Sequence, residues 1–282
     1  MADTVALWVN RSKIDAETLV PQIDKWLRAQ GREVIIWESV GRYREKSRPA
    51  YDFEAADIEF VLSLGGDGTV LEAAREAARF EIPVLGVNYG RLGFLCEVEQ
   101  TEIYTALQKV LKKEYSVEER LMMTASLADP TGTAVEHVVF NDVVFLRQSS
   151  DSMITLEVKL SGQPIASPPS DGLIIATPTG STAYSLSAGG PVVSPEVEAI
   201  LITPLAPHAL SSRPMVVSHK EVIDVTLTGG KVCRVTFDGG DELDLNPGEM
   251  VRIVASPLKA RLIRLEGRSF PKVVREKLSD RV

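Results

Sequence analysis

Leu64-Gly65-Gly66-Asp67-Gly68-Thr69 joins an apolar run at residues 58–64 to a helical pattern that begins at Val70. Glycines let backbone N–H groups approach an anion, and a helix that starts just after Thr69 would direct its positive end to the same place. The stretch therefore predicts a phosphate site. Asp67 adds a negative charge there, so we expect it to hold a divalent cation or to accept a proton from a hydroxyl that attacks phosphorus. This combination indicates phosphoryl transfer to an alcohol.

Two familiar glycine motifs do not fit this stretch. The P-loop requires a Lys-Ser or Lys-Thr pair after its last glycine, whereas Gly68 is followed by Thr69 and Val70. The dinucleotide-binding motif G-x-G-x-x-G is met at Gly66 and Gly68 but has Leu71 in place of its third glycine. A tight turn that only joins a strand to a helix is the alternative, but glycines grouped around an acid exceed what such a turn requires.

The composition is that of an ordinary globular protein. The 282 residues are 44% hydrophobic and 25% charged, and this length favours two domains. A formal net charge of −8 disfavours nucleic-acid and anionic-membrane partners, because both would be repelled. Cys96 and Cys233 are far apart and fit neither a disulfide framework nor a CxxC spacing. Since we find no export signal and no apolar run of bilayer-spanning length, we expect a cytoplasmic protein.

The first part of the chain alternates between strand and helix patterns. Apolar runs of strand length occur at residues 4–9, 34–37, 58–64 and 83–87. We therefore predict an α/β domain over residues 1–117 with a Rossmann-like parallel sheet. Because ligands bind at the carboxyl ends of parallel strands, the loop at residues 88–94 is expected near the Asp67 turn.

The second part of the chain is β-rich. Residues 118–264 consist of short strand patterns separated by turn signals such as Ser161-Gly162-Gln163 and Asp238-Gly239-Gly240. This pattern predicts a sandwich-like antiparallel domain. We expect residues 265–282 to return to the first domain as a short helix. The basic residues near this end are interpreted as a solvated helix face: Arg264, Arg268, Lys272, Arg275 and Lys277.

Two stretches of the β-rich part differ from ordinary strand chemistry. The polar pair Asn141-Asp142 interrupts an apolar run, which indicates either a bulge or a site that binds a ribose hydroxyl or a base. Farther along, a strand pattern runs into Thr177-Pro178-Thr179-Gly180-Ser181-Thr182-Ala183-Tyr184. Such a loop is usually a solvated connection. Here its hydroxyls offer many hydrogen-bond donors, and Tyr184 offers a flat face for a base.

These motifs, in this order, resemble the NAD kinase family of ATP:NAD 2′-phosphotransferases. The resemblance rests on residues 65–69, the loop at 86–95, Asn141-Asp142 and, above all, the loop at 177–184. It covers most of the chain, from about Val5 to the Arg268-Ser269-Phe270-Pro271 stretch. The first motif is shared with diacylglycerol and sphingosine kinases and, loosely, with phosphofructokinases. The loop at 177–184 narrows the resemblance to NAD kinases.

The resemblance implies roles for individual residues. Asp67 would be the catalytic carboxylate that acts on the adenosine 2′-hydroxyl, and Gly66 and Gly68 would lie along the phosphates. The residues implied in NAD binding are Phe94, Asn141, Asp142, Asp171, Thr182, Ala183, Tyr184 and Ser187. The family's usual pair at the second motif is asparagine and glutamate, so Asp142 is one methylene shorter. We find no dedicated metal cage, so a divalent cation, Mg²⁺, would be bound with ATP mainly by phosphate oxygens.

The resemblance implies an enzyme that transfers the γ-phosphoryl group of ATP to the 2′-hydroxyl of NAD and so makes NADP. It also implies a homo-oligomer, either a dimer or a tetramer. NAD and ATP are the expected partners, with no nucleic acid and no membrane. One alternative is a lipid kinase of the diacylglycerol or sphingosine type, although the acidic composition indicates no membrane-facing surface. The other is a non-enzymatic nucleotide-binding protein, which would not need Asp67.

Overall fold

The computed structural model describes residues 3–39, 53, 57–90, 93–128, 134–149, 152–165, 167–209 and 211–279. Arg91 and Leu92, which belong to the predicted ligand-binding loop, lie outside the described residues. The chain divides into two compact units. Unit 1 comprises Met1–Arg120 and Lys259–Val282, and unit 2 comprises Leu121–Leu258. The chain therefore leaves unit 1, forms unit 2 and returns to unit 1.

The helices and strands are numbered along the chain. The helices are α1 (Ala16–Ala29), α2 (Asp67–Ala77), α3 (Ile103–Leu111), α4 (Tyr184–Ser187) and α5 (Phe270–Ser279). The first strands are β1 (Thr4–Val9), β2 (Glu33–Glu38), β3 (Ile58–Gly65), β4 (Val84–Asn88), β5 (Val98–Glu99), β6 (Ser116–Ala128), β7 (Ala134–Val139) and β8 (Asp142–Arg147). The others are β9 (Thr155–Leu160), β10 (Gln163–Ile165), β11 (Gly172–Ala176), β12 (Ala199–Leu205), β13 (Met215–Ser218), β14 (Ile223–Gly229), β15 (Cys233–Phe237), β16 (Asp241–Leu245) and β17 (Met250–Arg264).

Unit 1 is built on a parallel sheet in the order β2-β1-β3-β4-β17. Strands β1 and β3 are buried along their whole length, which explains why both are near-continuous apolar runs. Helix α2 and the turn after it bury the small apolar face formed by Leu71, Ala74, Ala77 and Ala78. The predicted Rossmann-like α/β domain is confirmed.

The parallel register brings the carboxyl ends of neighbouring strands together. Gly65 at the end of β3 pairs with Asn88 at the end of β4, and the N–H of Tyr89 donates to the carbonyl of Gly65 at 2.7 Å. On the other side, the N–H of Asn10 donates to the carbonyl of Leu64 at 3.1 Å. The segments after β1 and β4 therefore begin beside the glycine-rich turn that follows β3.

Unit 2 consists of antiparallel layers. One has the order β10-β9-β14-β17, the other has the order β13-β12-β11-β8-β15-β16, and β6 and β7 form a further antiparallel pair. Apolar side chains from both layers form one buried cluster, which includes Leu156, Val158, Ile223, Val143, Phe145, Ile175 and Val235. Two sheets that share one core are a sandwich. The predicted β-rich, sandwich-like domain is confirmed.

Helix α2 begins at Asp67, so the prediction that it begins at Val70 is wrong. Gly66 precedes it with an extended backbone (φ −145°, ψ −171°). The first turn contains an acid and a glycine, which carry no apolar periodicity, and the sequence pattern therefore missed it. As a consequence Asp67 is part of the helix N-terminus. The expected C-terminal helix is present as α5.

Among the helices of the described chain, none has both the length and the hydropathy needed to cross a lipid bilayer.

Candidate active site

The carboxylate of Asp67 is fixed by consecutive backbone N–H groups. The N–H of Phe94 donates to Oδ2 at 2.6 Å, and the N–H groups of Leu95 and Cys96 each donate to Oδ1 at 3.1 Å. A carboxylate offers roughly four lone-pair sites, so these bonds leave room for one more donor. Because Asp67 also opens helix α2, the acid lies in the positive field of the helix N-terminus.

Gly93 permits the close approach of this loop to Asp67. A Cβ atom at Gly93 would lie 1.8 Å from Oδ1 of Asp67, so a side chain there would displace the carboxylate. The glycines on either side of Asp67 are different, because a Cβ atom at Gly66 or Gly68 would meet no described atom within 4 Å. Among the described residues, the space beside the backbone at Gly66 and Gly68 is therefore open.

Asn10, which follows β1, supports the glycine-rich turn and was missed by the sequence analysis. Its Nδ2 donates to Oγ1 of Thr69 at 3.2 Å, and the same oxygen accepts the N–H of Gly66 at 3.5 Å. Thr69 is buried. Asn10 therefore ties the end of β1 to the turn after β3. A single asparagine at a strand end has no spacing signal that could have identified it.

The basic residues before α5 are not a solvated helix face, and that interpretation is wrong for Arg264 and Arg268. Arg264 lies at the end of β17, and its side chain is 15% exposed. Its Nη1 donates to Oε2 of Glu97 at 2.9 Å. The side chain of Arg268 is 17% exposed, and its Nη2 donates to the carbonyl of Gly93 at 2.9 Å. These partners are remote in sequence, so periodicity could not reveal them.

Burial raises the pKa of two neighbouring side chains, Cys96 and Glu97. It raises the pKa of the Cys96 thiol well above its usual range, and the nearby carboxylate of Asp67 raises it further. Cys96 is therefore a neutral thiol at neutral pH and adds no charge beside Asp67. Burial also raises the pKa of Glu97 above its ordinary value, while Arg264 acts in the opposite direction.

In unit 2, the carboxylate of Asp238 holds the backbone around the Asn141-Asp142 pair. It accepts the N–H of Phe140 at 2.9 Å, that of Asn141 at 2.6 Å and that of Asp142 at 3.2 Å. In return, the N–H of Asp238 donates to the carbonyl of Asp142 at 2.9 Å. Oδ1 of Asn141 is buried and has no hydrogen-bond partner among the described residues. A ligand donor would satisfy this oxygen.

Asp238 was interpreted from sequence only as part of a turn, and the structure gives it a second role. Its φ of 52° is the left-handed conformation expected in a turn, in which aspartate is among the better tolerated residues. Its hydrogen-bond partners are residues 140–142, which precede it by a long stretch of chain. Only the folded sheet, in which β15 pairs with β8, brings these groups together.

The interior of the loop at residues 177–187 is already hydrogen-bonded. Oγ1 of Thr177 donates to the carbonyl of Phe140 at 2.7 Å, and Oγ of Ser181 donates to the carbonyl of Pro178 at 2.6 Å. Ser185 is buried as well. The expectation that these hydroxyls are available to a ligand is therefore wrong for Thr177, Ser181 and Ser185. They shape the loop.

The other predicted residues of this loop lie nearer the surface. Thr182 and Ala183 are partly exposed, Ser187 is exposed, and 43% of the Tyr184 surface is exposed. The loop starts against Asn141, because a Cβ atom at Gly180 would lie only 2.1 Å from the carbonyl oxygen of Asn141. Unit 2 therefore brings the loop and the Asn141-Asp142 pair to the same end of β11 and β8.

Asp171 lies at the opposite end of β11. It precedes this strand, whereas Thr177 follows it, and a strand of this length spans about 17 Å. Nε of Arg147 lies 2.7 Å from Oδ1 of Asp171. The structure of unit 2 therefore separates Asp171 from Asn141 and Asp142, with which the sequence analysis had grouped it.

We expect Gly180→Ala to destabilise unit 2 by about 1–3 kcal/mol, the usual cost of overpacking. The added methyl group would meet the carbonyl oxygen of Asn141 at 2.1 Å. The measurement is urea unfolding of the full-length chain. Gly240→Ala is the matched control, because among the described residues its methyl group would meet one atom within 4 Å, the carbonyl oxygen of Phe237 at an ordinary 3.6 Å. Equal stability of the two variants would contradict the prediction.

Within the described ranges, no group of three or more His, Cys, Asp or Glu side chains could hold a metal ion.

Two family profiles match this chain. The profile described as ATP-NAD kinase N-terminal domain matches residues 5–115, and the one described as ATP-NAD kinase C-terminal domain matches residues 140–265. Together they cover more than half of the sequence. The first spans the turn that contains Asp67, and the second spans Asn141 and the loop at 177–187.

Individual relatives give the same result. The chain is 43% identical to the NAD kinase of Moorella thermoacetica over 80% of this chain and 73% of that protein. It is 38% identical to the NAD kinase of Heliobacterium modesticaldum over 98% of each.

Solved structures of similar fold include an NAD kinase from Archaeoglobus fulgidus in complex with ATP, with a TM-score of 0.75 and 28% identity over 93% of this chain and 94% of that one. Yeast NADH kinase complexed with NADH has a TM-score of 0.84 over 99% of this chain and 88% of that one, and at 23% identity it shows the fold alone. The geometry around Asp67, the paired profiles and these relatives lead to one conclusion: the chain belongs to the NAD kinase family.

Proposed function

We propose that this protein is an NAD kinase, which transfers the γ-phosphoryl group of ATP to the 2′-hydroxyl of the adenosine ribose of NAD and releases NADP. The observation that carries the proposal is the Asp67 carboxylate, held by backbone N–H groups at a helix N-terminus in a chain of this family. The lipid-kinase alternative has no comparable support, because the matching profiles are both ATP-NAD kinase domains.

Asp67 is proposed as the base. The amides of Phe94, Leu95 and Cys96 take up three of its lone-pair sites and fix its orientation. The remaining site would accept the proton of the 2′-hydroxyl as the oxygen attacks the γ-phosphorus, a contribution typically worth about 10² to 10⁴ in rate. The open backbone at Gly66 and Gly68 would lie along the phosphates, whose charge the N-terminus of α2 favours.

Residues of unit 2 are proposed to bind the dinucleotide. The buried, unpartnered Oδ1 of Asn141 supports a donor from NAD at this position. The exposed ring of Tyr184 supports stacking on a base. The other residues proposed for this site are Asp142, Thr182, Ala183 and Ser187. Asp171 is proposed to contact the dinucleotide apart from Asn141, since it lies at the opposite end of β11.

A divalent cation, Mg²⁺, is proposed to bind with ATP. Asp67 has most of its lone pairs occupied by amides, and the described residues contain no cluster of acidic, His or Cys ligands. This donor set fits a cation held mainly by phosphate oxygens, as is usual for Mg²⁺ in phosphoryl transfer. The cation would neutralise the charge of the transferred group.

We further propose a homo-oligomer, a dimer or a tetramer, located in the cytoplasm. The edge strand β13 supports association, because it ends a sheet and exposes Met215 and Val216. The free, buried Cys96 and Cys233 support the location, because free thiols are typical of a reducing compartment.

The experiment that tests the function supplies the purified protein with ATP and Mg²⁺ and, in separate reactions, with NAD, NADH or diacylglycerol. We expect NADP from NAD. A phosphorylated lipid would support the lipid-kinase alternative instead. Nucleotide binding by calorimetry with no product in any reaction would support a non-enzymatic binding protein.

A further inference from the structure

Residues 93–96 present polar groups in two directions. The N–H groups of Phe94, Leu95 and Cys96 bind the carboxylate of Asp67, as described above. Two carbonyls of the segment bind arginines: that of Gly93 accepts Nη2 of Arg268 at 2.9 Å, and that of Leu95 accepts Nη1 of Arg264 at 3.3 Å. These four residues are part of no helix or strand in the described structure. Within the described part of the chain, residues 93–96 therefore have no regular backbone pairing to hold them. Their hydrogen bonds to Asp67 and to the arginines take its place.

Arg268 is held in turn by a buried acid. The side chain of Glu97 is 2% exposed, and its Oε2 lies 3.9 Å from Nε of Arg268. Glu97 is fixed at both ends, because its N–H donates to the carbonyl of Gly86 at 2.8 Å and its Oε1 accepts the N–H of Leu265 at 2.9 Å. The chain of contacts runs from Glu97 through Arg268 and Gly93 to the Asp67 loop.

We propose that Arg268 is a positioning residue for phosphoryl transfer, an inference that rests on the proposed function. It holds the carbonyl of Gly93, so that the amides of residues 94–96 keep the carboxylate of Asp67 in the orientation that accepts the hydroxyl proton. A cation on a peptide carbonyl also polarises the next N–H group and strengthens its bond to Asp67. Arg268 contacts the loop and acts on the reaction only through Asp67.

Substitution of Arg268 tests this proposal more specifically than substitution of Arg264. The Nη1 group of Arg264 contacts Leu95 at 3.3 Å, but the same side chain also pairs with Glu97 and Glu118. Removing Arg264 would leave acidic partners uncompensated and would change folding as well as the loop. The closest described contact of Arg268 is with the loop carbonyl itself.

The experiment compares steady-state NADP formation by wild type, Arg268→Met, Arg268→Lys and Arg275→Met. Arg275 is exposed on α5. Arg275→Met serves as the matched control, since this substitution removes the same charge from the same part of the chain. We expect Arg268→Met to lower kcat about 10- to 100-fold, the size of effect that a small misplacement of a catalytic group produces. KM for ATP and NAD should stay within about threefold. Arg268→Lys should recover part of kcat, because an ammonium group also donates to a carbonyl.

A double-mutant cycle separates positioning from general damage. If Arg268 acts through Asp67, Arg268→Met should have no further effect on kcat in the Asp67→Asn background. Multiplicative losses would overturn the proposal. A rise in KM for ATP at unchanged kcat would also overturn it, because Arg268 would then bind substrate directly. The same loss in Arg275→Met would show a general charge effect and would likewise refute positioning.

Hydrogen exchange gives a readout that does not depend on activity. We expect the amides of residues 94–96 to exchange faster in Arg268→Met than in wild type or Arg275→Met. Unchanged protection would overturn the proposal. If wild type formed no NADP, the proposed function would fail by itself, and the exchange experiment would still decide whether Arg268 orders this loop.

Discussion

Asp67→Asn is expected to lower the turnover number of NADP formation by about 10² to 10⁴, with KM for NAD and ATP changed much less. The variant loses the group proposed to accept the hydroxyl proton. It also replaces one carboxylate oxygen by an NH₂ group, which cannot accept the N–H bonds made to that oxygen, either the bond from Phe94 to Oδ2 or those from Leu95 and Cys96 to Oδ1. The measurement is steady-state kinetics with each substrate varied separately.

Asp57→Asn is the matched control for this prediction. Asp57 is exposed and precedes β3, whereas Asp67 follows the same strand, so the control removes an equal charge from the opposite end of β3. We expect wild-type turnover. A fully active Asp67→Asn enzyme would rule out Asp67 as the base, and a large rise in KM for NAD at constant kcat would assign Asp67 to binding.

Asp238→Asn is expected to lower the free energy of unfolding by about 1–3 kcal/mol, the cost of leaving a partly buried donor without an acceptor. One carboxylate serves the N–H groups of Phe140, Asn141 and Asp142, and a carboxamide has a single acceptor oxygen. Because these bonds fix the backbone of Asn141, affinity for NAD should fall as well. Urea unfolding and calorimetric NAD titration measure the two effects.

Glu196→Gln controls for loss of charge in unit 2, since Glu196 is exposed. We expect its urea midpoint and NAD affinity to match those of wild type. The role given to Asp238 would be refuted by an Asp238→Asn protein as stable as Glu196→Gln. A stable variant that lost only NAD affinity would instead mean that Asp238 contacts the dinucleotide directly.

The sequence was sufficient to predict the architecture of both units, because their signals are local. The apolar runs of β1 and β3 reflect strands buried on both faces, and turn residues such as Gly162 separate the strands of unit 2. Asp67 also stood out locally, as an acid among glycines. The sequence also predicted the loop at residues 88–94 near this turn, and the bond from Phe94 to Asp67 agrees with that prediction. The individual amide donors of residues 94–96 were not predicted, since the conformation of this loop depends on the packing of β3 beside β4.

The contacts of the charged side chains around the site could not be predicted from local sequence patterns. Arg264 and Arg268 stand in a basic stretch that has the composition of a solvated surface, and only the fold places them against the buried Glu97. In the same way, Asp238 stands in a sequence typical of a turn and is bonded to residues 140–142. In each case a charged side chain compensates backbone groups or charges that are remote in sequence.

The division of unit 1 into two stretches of chain has a consequence for biosynthesis. Unit 2 is a single continuous stretch, Leu121–Leu258, and can begin to fold as soon as the ribosome has released it. Unit 1 is still missing β17's last residues and α5 at that time. Arg264 and Arg268, which bind the carbonyls of the Asp67 loop, are translated after the whole of unit 2. In a nascent chain the loop at residues 93–96 therefore acquires these contacts only after unit 2 has been synthesised.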